Sequence, residues 1–290
     1  MDPLSLLWLF FVLASLQPAL TRQFLFAQRR RALAVISRRR KATVITLIHR
    51  QEQISLLGFP LVRYIDIDDA ESVLRAIADT PRGRPIEIIL HTPGGMVIAA
   101  RQIASALADH EERVTAVVPH YAMSGGTLIA LAADEIIIDE HAALGPVDPQ
   151  LGQYPAASLV EVSKLPGDHD DQTLIMADVG RKAIFQVEDF TTRLLGRHMA
   201  PTQARDVAHL LASGVFTHDH PLQARELAAL GLPVRVGIPD EERELMGLYP
   251  QPRGRTPAVE YVPGPTPRTP PAAPRRRELP GGSRSAGSRG

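Results

Sequence analysis

Hydrophobic and polar positions fall into three regimes along the chain. From Leu4 to Leu20 the sequence LSLLWLFFVLASLQPAL carries no charge, and its length is close to the roughly 20 residues that cross a hydrocarbon core at 1.5 Å each. From Thr43 onward, short β-rich runs alternate with stretches of helical periodicity, the pattern of an α/β domain. Strands are predicted at 43–49, 61–65, 86–91, 114–118 and 135–138. A helix should start at Asp68-Asp69-Ala70-Glu71, acidic in its first turn and followed by Val73, Leu74 and Ile77 on one face. Further helices are predicted at 96–108, 125–133, about 174–195, 202–211 and 222–230. Beyond Pro250 the chain is Pro, Arg, Gly and Ser with almost no large apolar residue, so disorder is expected there. The resulting division is 1–21 as a transmembrane anchor, 22–42 as a basic juxtamembrane helix, 43–249 as one α/β domain and 250–290 as a tail. There is no internal repeat.

Charge adds an orientation to this picture. The formal net charge is zero, but arginines crowd residues 22–40 and the tail. Only Asp2 precedes the apolar run, whereas Arg22, Arg29, Arg30, Arg31 and the stretch Arg38 to Lys41 follow it. A secretory signal peptide would carry its positive charge first. The positive-inside rule therefore predicts a single-pass membrane protein with its N-terminus outside and its folded domain cytoplasmic. Phe26, Leu33, Val35 and Ile36 interleave with the arginines, as suits a helix lying on anionic headgroups. Cysteine is absent, which excludes thiolate nucleophiles, disulfides and zinc-thiolate sites. With 44% hydrophobic residues in 290, the chain can bury the core of about one catalytic-size domain.

Two glycine-containing turns carry the candidate chemistry. Ile88-Ile89-Leu90-His91-Thr92-Pro93-Gly94-Gly95 reads as a buried strand, paired glycines and a helix start. Glycines permit close backbone approach, and amides at a helix start are unpaired donors, as an oxyanion hole requires. In Val117-Val118-Pro119-His120-Tyr121-Ala122-Met123-Ser124-Gly125-Gly126, a serine sits where a strand turns into a helix. Such a turn exposes Oγ, much as a nucleophile elbow does, and the Gly125 amide can share the oxyanion.

In their order and spacing these turns resemble the Clp-protease/crotonase superfamily. More narrowly, HTPGG at 91–95, YAMSGGTLIALAADEI at 121–136, LGPVDPQLG at 144–152, TLIMADVGRKAI at 173–184 and SGVFTHDHP at 213–221 are similar to the serine dehydrogenase proteinase family, membrane-associated relatives of signal peptide peptidases. The resemblance covers roughly residues 43–236. It implies an α/β, Clp-protease/crotonase-like ββα spiral fold behind the N-terminal transmembrane helix, and a serine peptidase with Ser124 as nucleophile and Gly94, Gly95 and Gly125 around the oxyanion. It also implies homo-oligomeric assembly. The expected partners are a peptide or protein substrate and the membrane, with no cofactor, metal or nucleic acid.

A serine hydroxyl needs a base, either histidine oriented by a carboxylate or lysine kept neutral by burial. Clp peptidases place a histidine in the segment that here reads Ala143-Leu144-Gly145-Pro146-Val147-Asp148-Pro149, which has none. This favours a Ser-Lys dyad. Lys41, Lys164 and Lys182 are the only lysines, and Lys41 belongs to the membrane-proximal run. Lys182, matching the family's Ala-Asp-x-x-x-Lys-Ala stretch and flanked by Ile175, Val179, Ile184 and Val187, is preferred to Lys164 in its polar loop. The duller role for Lys182 is an i,i+4 partner of Asp178 on a solvated face. His141 is a fallback base, and His91 and His120 are read as structural. Asp148 is expected to order the loop beside the site, and His218-Asp219-His220 to be a hydrogen-bonded turn rather than a metal site. Two other function classes stay open, an acyl-CoA enzyme of the crotonase type and a catalytically silent membrane scaffold.

Overall fold

The computed structural model describes the main chain of residues 3–49 and 63–249, with most side chains before residue 23 outside that description. The elements begin with α1 (Pro3–Arg40), β1 (Thr43–Ile48), α2 (Ile67–Ala78), β2 (Ile86–His91), α3 (Val97–Ala108) and β3 (Val114–Val118). They continue with β4 (Tyr121–Ala122), α4 (Gly125–Leu131), β5 (Glu135–Ile138), β6 (Ala143–Leu144), β7 (Gln150–Leu151), β8 (Tyr154–Pro155) and α5 (Ala156–Val162). The series ends with α6 (Asp171–Leu195), α7 (Pro201–Ala212), β9 (Leu222–Gln223), α8 (Ala224–Ala229), β10 (Val234–Val236) and α9 (Asp240–Gly247).

Five strands form one parallel sheet in the order β1-β2-β3-β5-β10. The interior strand β2 is buried at all six positions, as a parallel strand covered on both faces must be. Alternation sorts its side chains: Ile86, Ile88 and Leu90 join the large core packed under α2, α3, α4, α6 and α7, while Ile89 joins Val117, Ile137 and Ile36 of α1 on the other face. A small sheet, β4-β6-β9, stands apart from the large one. Strand, short strand and helix succeed one another in β3-β4-α4, and a bridge from Thr92 to Ala122 ties the end of β2 to the small sheet. This mixed α/β architecture with its parallel sheet is consistent with a ClpP-like fold.

Several expectations are corrected. Residues 61–65 were expected to be a strand, but 61 and 62 lie outside the described residues and Ile65 makes only an isolated bridge to Gly95. Helix α2 starts at Ile67, because Asp66 caps it in a reciprocal box with Asp69. The apolar and basic N-terminal segments are one continuous helix, α1. Its last turns dock on the sheet, with Ile36 only 1% exposed, while Phe24 and Phe26 remain on its exposed surface. The Arg29 guanidinium stacks 4.1 Å over the Tyr249 ring, Arg40 pairs with Glu242 at 3.0 Å and Arg39 pairs with Glu241. Among the described residues no helix is long and apolar enough to cross a membrane, and most side chains of the expected span at 1–21 lie outside the description. The expected tail at 250–290 lies outside it entirely.

Candidate active site

Ser124 is forced into an uncommon conformation by its place between a strand and a helix. Its φ of 51° and ψ of −114° lie where non-glycine residues pay strain, of order 1–3 kcal/mol. Although it stands at the N-cap of α4, its hydroxyl makes no capping bond, so Oγ is available for other work. Two hydrogen bonds to Thr92 brace the approach to this turn, Thr92 N–H to the Tyr121 carbonyl at 3.2 Å and Met123 N–H to the Thr92 carbonyl at 3.0 Å.

The Pro-Gly-Gly turn packs directly on the serine. Gly94 has φ 102°, and a Cβ there would sit 2.8 Å from the Ser124 Cβ. A Cβ at Gly95 would meet the Ile65 main chain at 2.3 Å. Glycine is thus required at both positions, at Gly94 for backbone conformation and at Gly95 for close approach. The Gly95 nitrogen lies 3.7 Å from where a Gly125 Cβ would be, so the Gly95 amide sits close to the start of α4. Among the described residues neither the Gly95 nor the Gly125 amide has a main-chain acceptor, as expected of donors at helix starts.

A cavity of about 190 Å³ opens over these turns, lined by Ser124, Gly95, Gly125, Leu128, Val147, Asp148, Gln150 and His218, with Tyr64 and Val97 at its edge. His218 and Asp148, expected only as a turn and a loop-ordering residue, are hydrogen-bonded at 2.8 Å from Nδ1 to Oδ1. Gln150 Nε2 donates to the other Asp148 oxygen at 2.6 Å. Asp148 is buried, its side chain 2% exposed. A carboxylate only accepts, so Nδ1 of His218 carries the proton and Nε2 is the basic nitrogen. Nε2 has no hydrogen-bond partner among the described residues. The bond to Asp148 raises the His218 pKa above its ordinary value, outweighing the opposing effect of partial burial.

The predicted lysines lie elsewhere. Lys182 projects from α6 with its side chain 69% exposed and bonded to Asp178 at 2.5 Å, the solvated i,i+4 pair. Of the four apolar neighbours expected to pack around it only Val187 is buried; Ile184 is half-buried, and Ile175 and Val179 are 62% and 41% exposed. A lysine base needs desolvation, and the surroundings of Lys182 in this chain supply none. Lys164 is likewise exposed and paired with Glu161 at 2.6 Å. His141 is exposed, its amide bonded to Asp139. His91 is buried and stacks edge-on against His120, in keeping with a structural role. His218, within SGVFTHDHP at 213–221, lines the cavity although it was expected only as part of a hydrogen-bonded turn.

A family model described as ClpP-like SDH-type serine proteinase matches residues 1–273. The chain belongs to that family. Two uncharacterized proteins of Methanocaldococcus jannaschii are similar to it. One is 47% identical over 259 residues, 89% of each chain; the other is 48% identical over 273 residues, 91% of this chain and 96% of the relative. Membrane protein NfeD1b of Bacillus subtilis is 28% identical over 142 residues, 48% of this chain and 30% of its own. Family membership gives the strained serine and the glycine amides a chemical context, since serine proteinases need an exposed Oγ beside oxyanion donors.

Proposed function

We propose that the chain is a membrane-anchored serine endopeptidase that works through an acyl-enzyme, with His218 rather than Lys182 as general base. The observation that carries this reading is the opening of the strained Ser124 turn into the same cavity as a histidine whose Nδ1 is bonded to a buried aspartate. His218 Nε2 takes the Ser124 proton as Oγ bonds to the substrate carbonyl carbon, and the carbonyl oxygen becomes an oxyanion held by the amides of Gly95 and Gly125. Collapse breaks the C–N bond, and the leaving amine takes the proton from Nε2. Water, deprotonated by His218, then releases the acid and frees Ser124. Asp148 holds the ring and stabilises its charged form without taking the proton. Tyr64 and Val97, which line the cavity, leave apolar surface exposed, which suits an extended, apolar peptide segment.

The test is labelling of the detergent-solubilised full chain with a fluorophosphonate. Label on wild type that is lost in Ser124→Ala and His218→Ala but kept in Lys182→Ala is the expected result. Label that needs Lys182 and not His218 restores the dyad. A wild type that stays unlabelled where a control hydrolase reacts moves the scaffold and acyl-CoA readings ahead.

A further inference from the structure

Beneath the Pro-Gly-Gly turn runs a chain of hydrogen bonds that the reaction does not use directly. His49, 7% exposed at the end of β1, reaches Thr92 Oγ1 through Nδ1 at 2.8 Å and Asp69 Oδ2 through Nε2 at 3.0 Å. The same Asp69 oxygen accepts the Asp66 N–H at 3.1 Å in the cap of α2. Gly94 N–H donates to Thr92 Oγ1 at 3.1 Å. Thr92 itself is wholly buried.

The direction of every bond follows from the acceptor at one end. Asp69 as a carboxylate only accepts, so His49 carries its proton on Nε2 and accepts at Nδ1. The single Thr92 proton then points to His49, which leaves the oxygen's lone pairs toward Gly94 N–H. Removing His49 would free that hydroxyl to turn to the Gly94 carbonyl, 3.5 Å away, where it would compete with the Ile65 N–H bonded there at 2.8 Å.

That competition bears on the oxyanion donors. Peptide units are planar and trans, so the carbonyl of Gly94 and the amide of Gly95 point in opposite directions from one plane. Ile65 N–H holds the carbonyl side and thereby aims the Gly95 N–H away from it. Thr92 holds the preceding plane through Gly94 N–H. With φ at 102°, Gly94 has the freedom to swing unless both flanking planes are fixed. Thr92 also bonds, through its own main chain, to Tyr121 and Met123 just before the serine.

We propose that Thr92, oriented by His49 and Asp69, is a positioning residue that fixes the Gly95 oxyanion amide relative to Ser124. The inference rests on the peptidase reading above, and the test separates the two. Full-length wild type, Thr92→Val, Thr92→Ser and His49→Ala are compared for turnover of a short peptide ester and for their rates of inactivation by a fluorophosphonate. Valine keeps the shape and the methyl packed near Gly126 but removes the hydroxyl. Thr92→Val is expected to lose about 10- to 100-fold in kcat with KM changed less than about threefold, since a displaced oxyanion donor costs less than the 10²–10³ of a deleted one. Thr92→Ser should return to within about threefold of wild type, and His49→Ala should fall about tenfold. Should Thr92→Val fail to fold, His49→Ala carries the test. Wild-type kcat in the hydroxyl-free or His49→Ala protein overturns the positioning role alone, as does a Thr92→Ser protein as impaired as Thr92→Val. A wild type inert to both reagents overturns the peptidase reading and this role with it.

Discussion

At the scale of single residues the consequence of the Asp148 contact is a pH dependence. In the proposed mechanism His218 acts as base only when Nε2 is unprotonated, so the rate is present at high pH and falls as pH drops through the His218 pKa. Because Asp148 raises that pKa, the acid limb of kcat/KM should lie above the ordinary histidine value near 6.5. Asp148→Asn removes the charge that raises it. The limb should then move to lower pH while the plateau drops by roughly 10²- to 10⁴-fold, the loss seen when a triad aspartate is neutralised. An unmoved limb in the asparagine variant, measured from pH 5 to 9, would exclude His218 as the titrating base. The glycines and Ser124 were legible as a pattern because each turn is local, set by a few adjacent residues. The Asp148–His218 pair was not, since its members stand 70 positions apart and neither is marked by a periodic pattern. The exposure of Lys182 was not legible, because apolar neighbours in a helix do not reveal which of them the fold leaves exposed.

Among elements, the contact of α1 with β2 and α9 places two buried carboxylates side by side. Glu87 of β2 and Glu242 of α9 are 4% and 0% exposed, and Arg40 of α1 is close to both, 3.5 Å from the first and 3.0 Å from the second. Burial, reinforced by the neighbouring Glu242, pushes the Glu87 pKa from 4.5 to about 7 against the pull of Arg40 and, more weakly, Arg235. A raised carboxyl pKa means the fold holds a proton that the unfolded chain gives up. The associated stability is complete below about pH 4.5 and lost as pH rises through about 7, on the order of 3 kcal/mol in all. Glu87→Gln keeps the shape and cannot ionise. Its urea midpoint should therefore fall less than the wild-type midpoint between pH 5 and pH 8; equal falls would mean that Glu87 is not the group responsible. Strands β1, β2, β3 and β5 match their predicted positions within a residue because buried parallel strands are continuous apolar runs. The two-residue strands β4, β6 and β9 are too short to carry a period, and α5 and α9 are set by tertiary packing.

For the molecule as a whole, the class of fold and the family were legible because the two turns occur in a fixed order over most of the α/β region. How α1 meets the domain was not, since its arginines read equally well as lipid or protein contacts and only the folded chain brings Tyr249 beneath Arg29. Membrane anchoring is checked by fractionation. The full chain should sediment with membranes, resist a carbonate wash and be released by detergent. Recovery in the soluble fraction would overturn the anchor while leaving the serine chemistry intact.

Helix α1 runs from residue 3 to residue 40, about 57 Å of rise, with Pro18 inside it unable to donate to the helix ladder, and it is fixed at its far end by Arg29, Ile36 and Arg40. Between Pro18 and the docked turns, the helix transmits phase as well as distance. Each residue added between Pro18 and the docked turns would turn the segment that precedes it by about 100° relative to the catalytic cavity and lift it by about 1.5 Å. The helix length therefore sets a bearing as well as a reach, and two added residues would point the cavity nearly the opposite way.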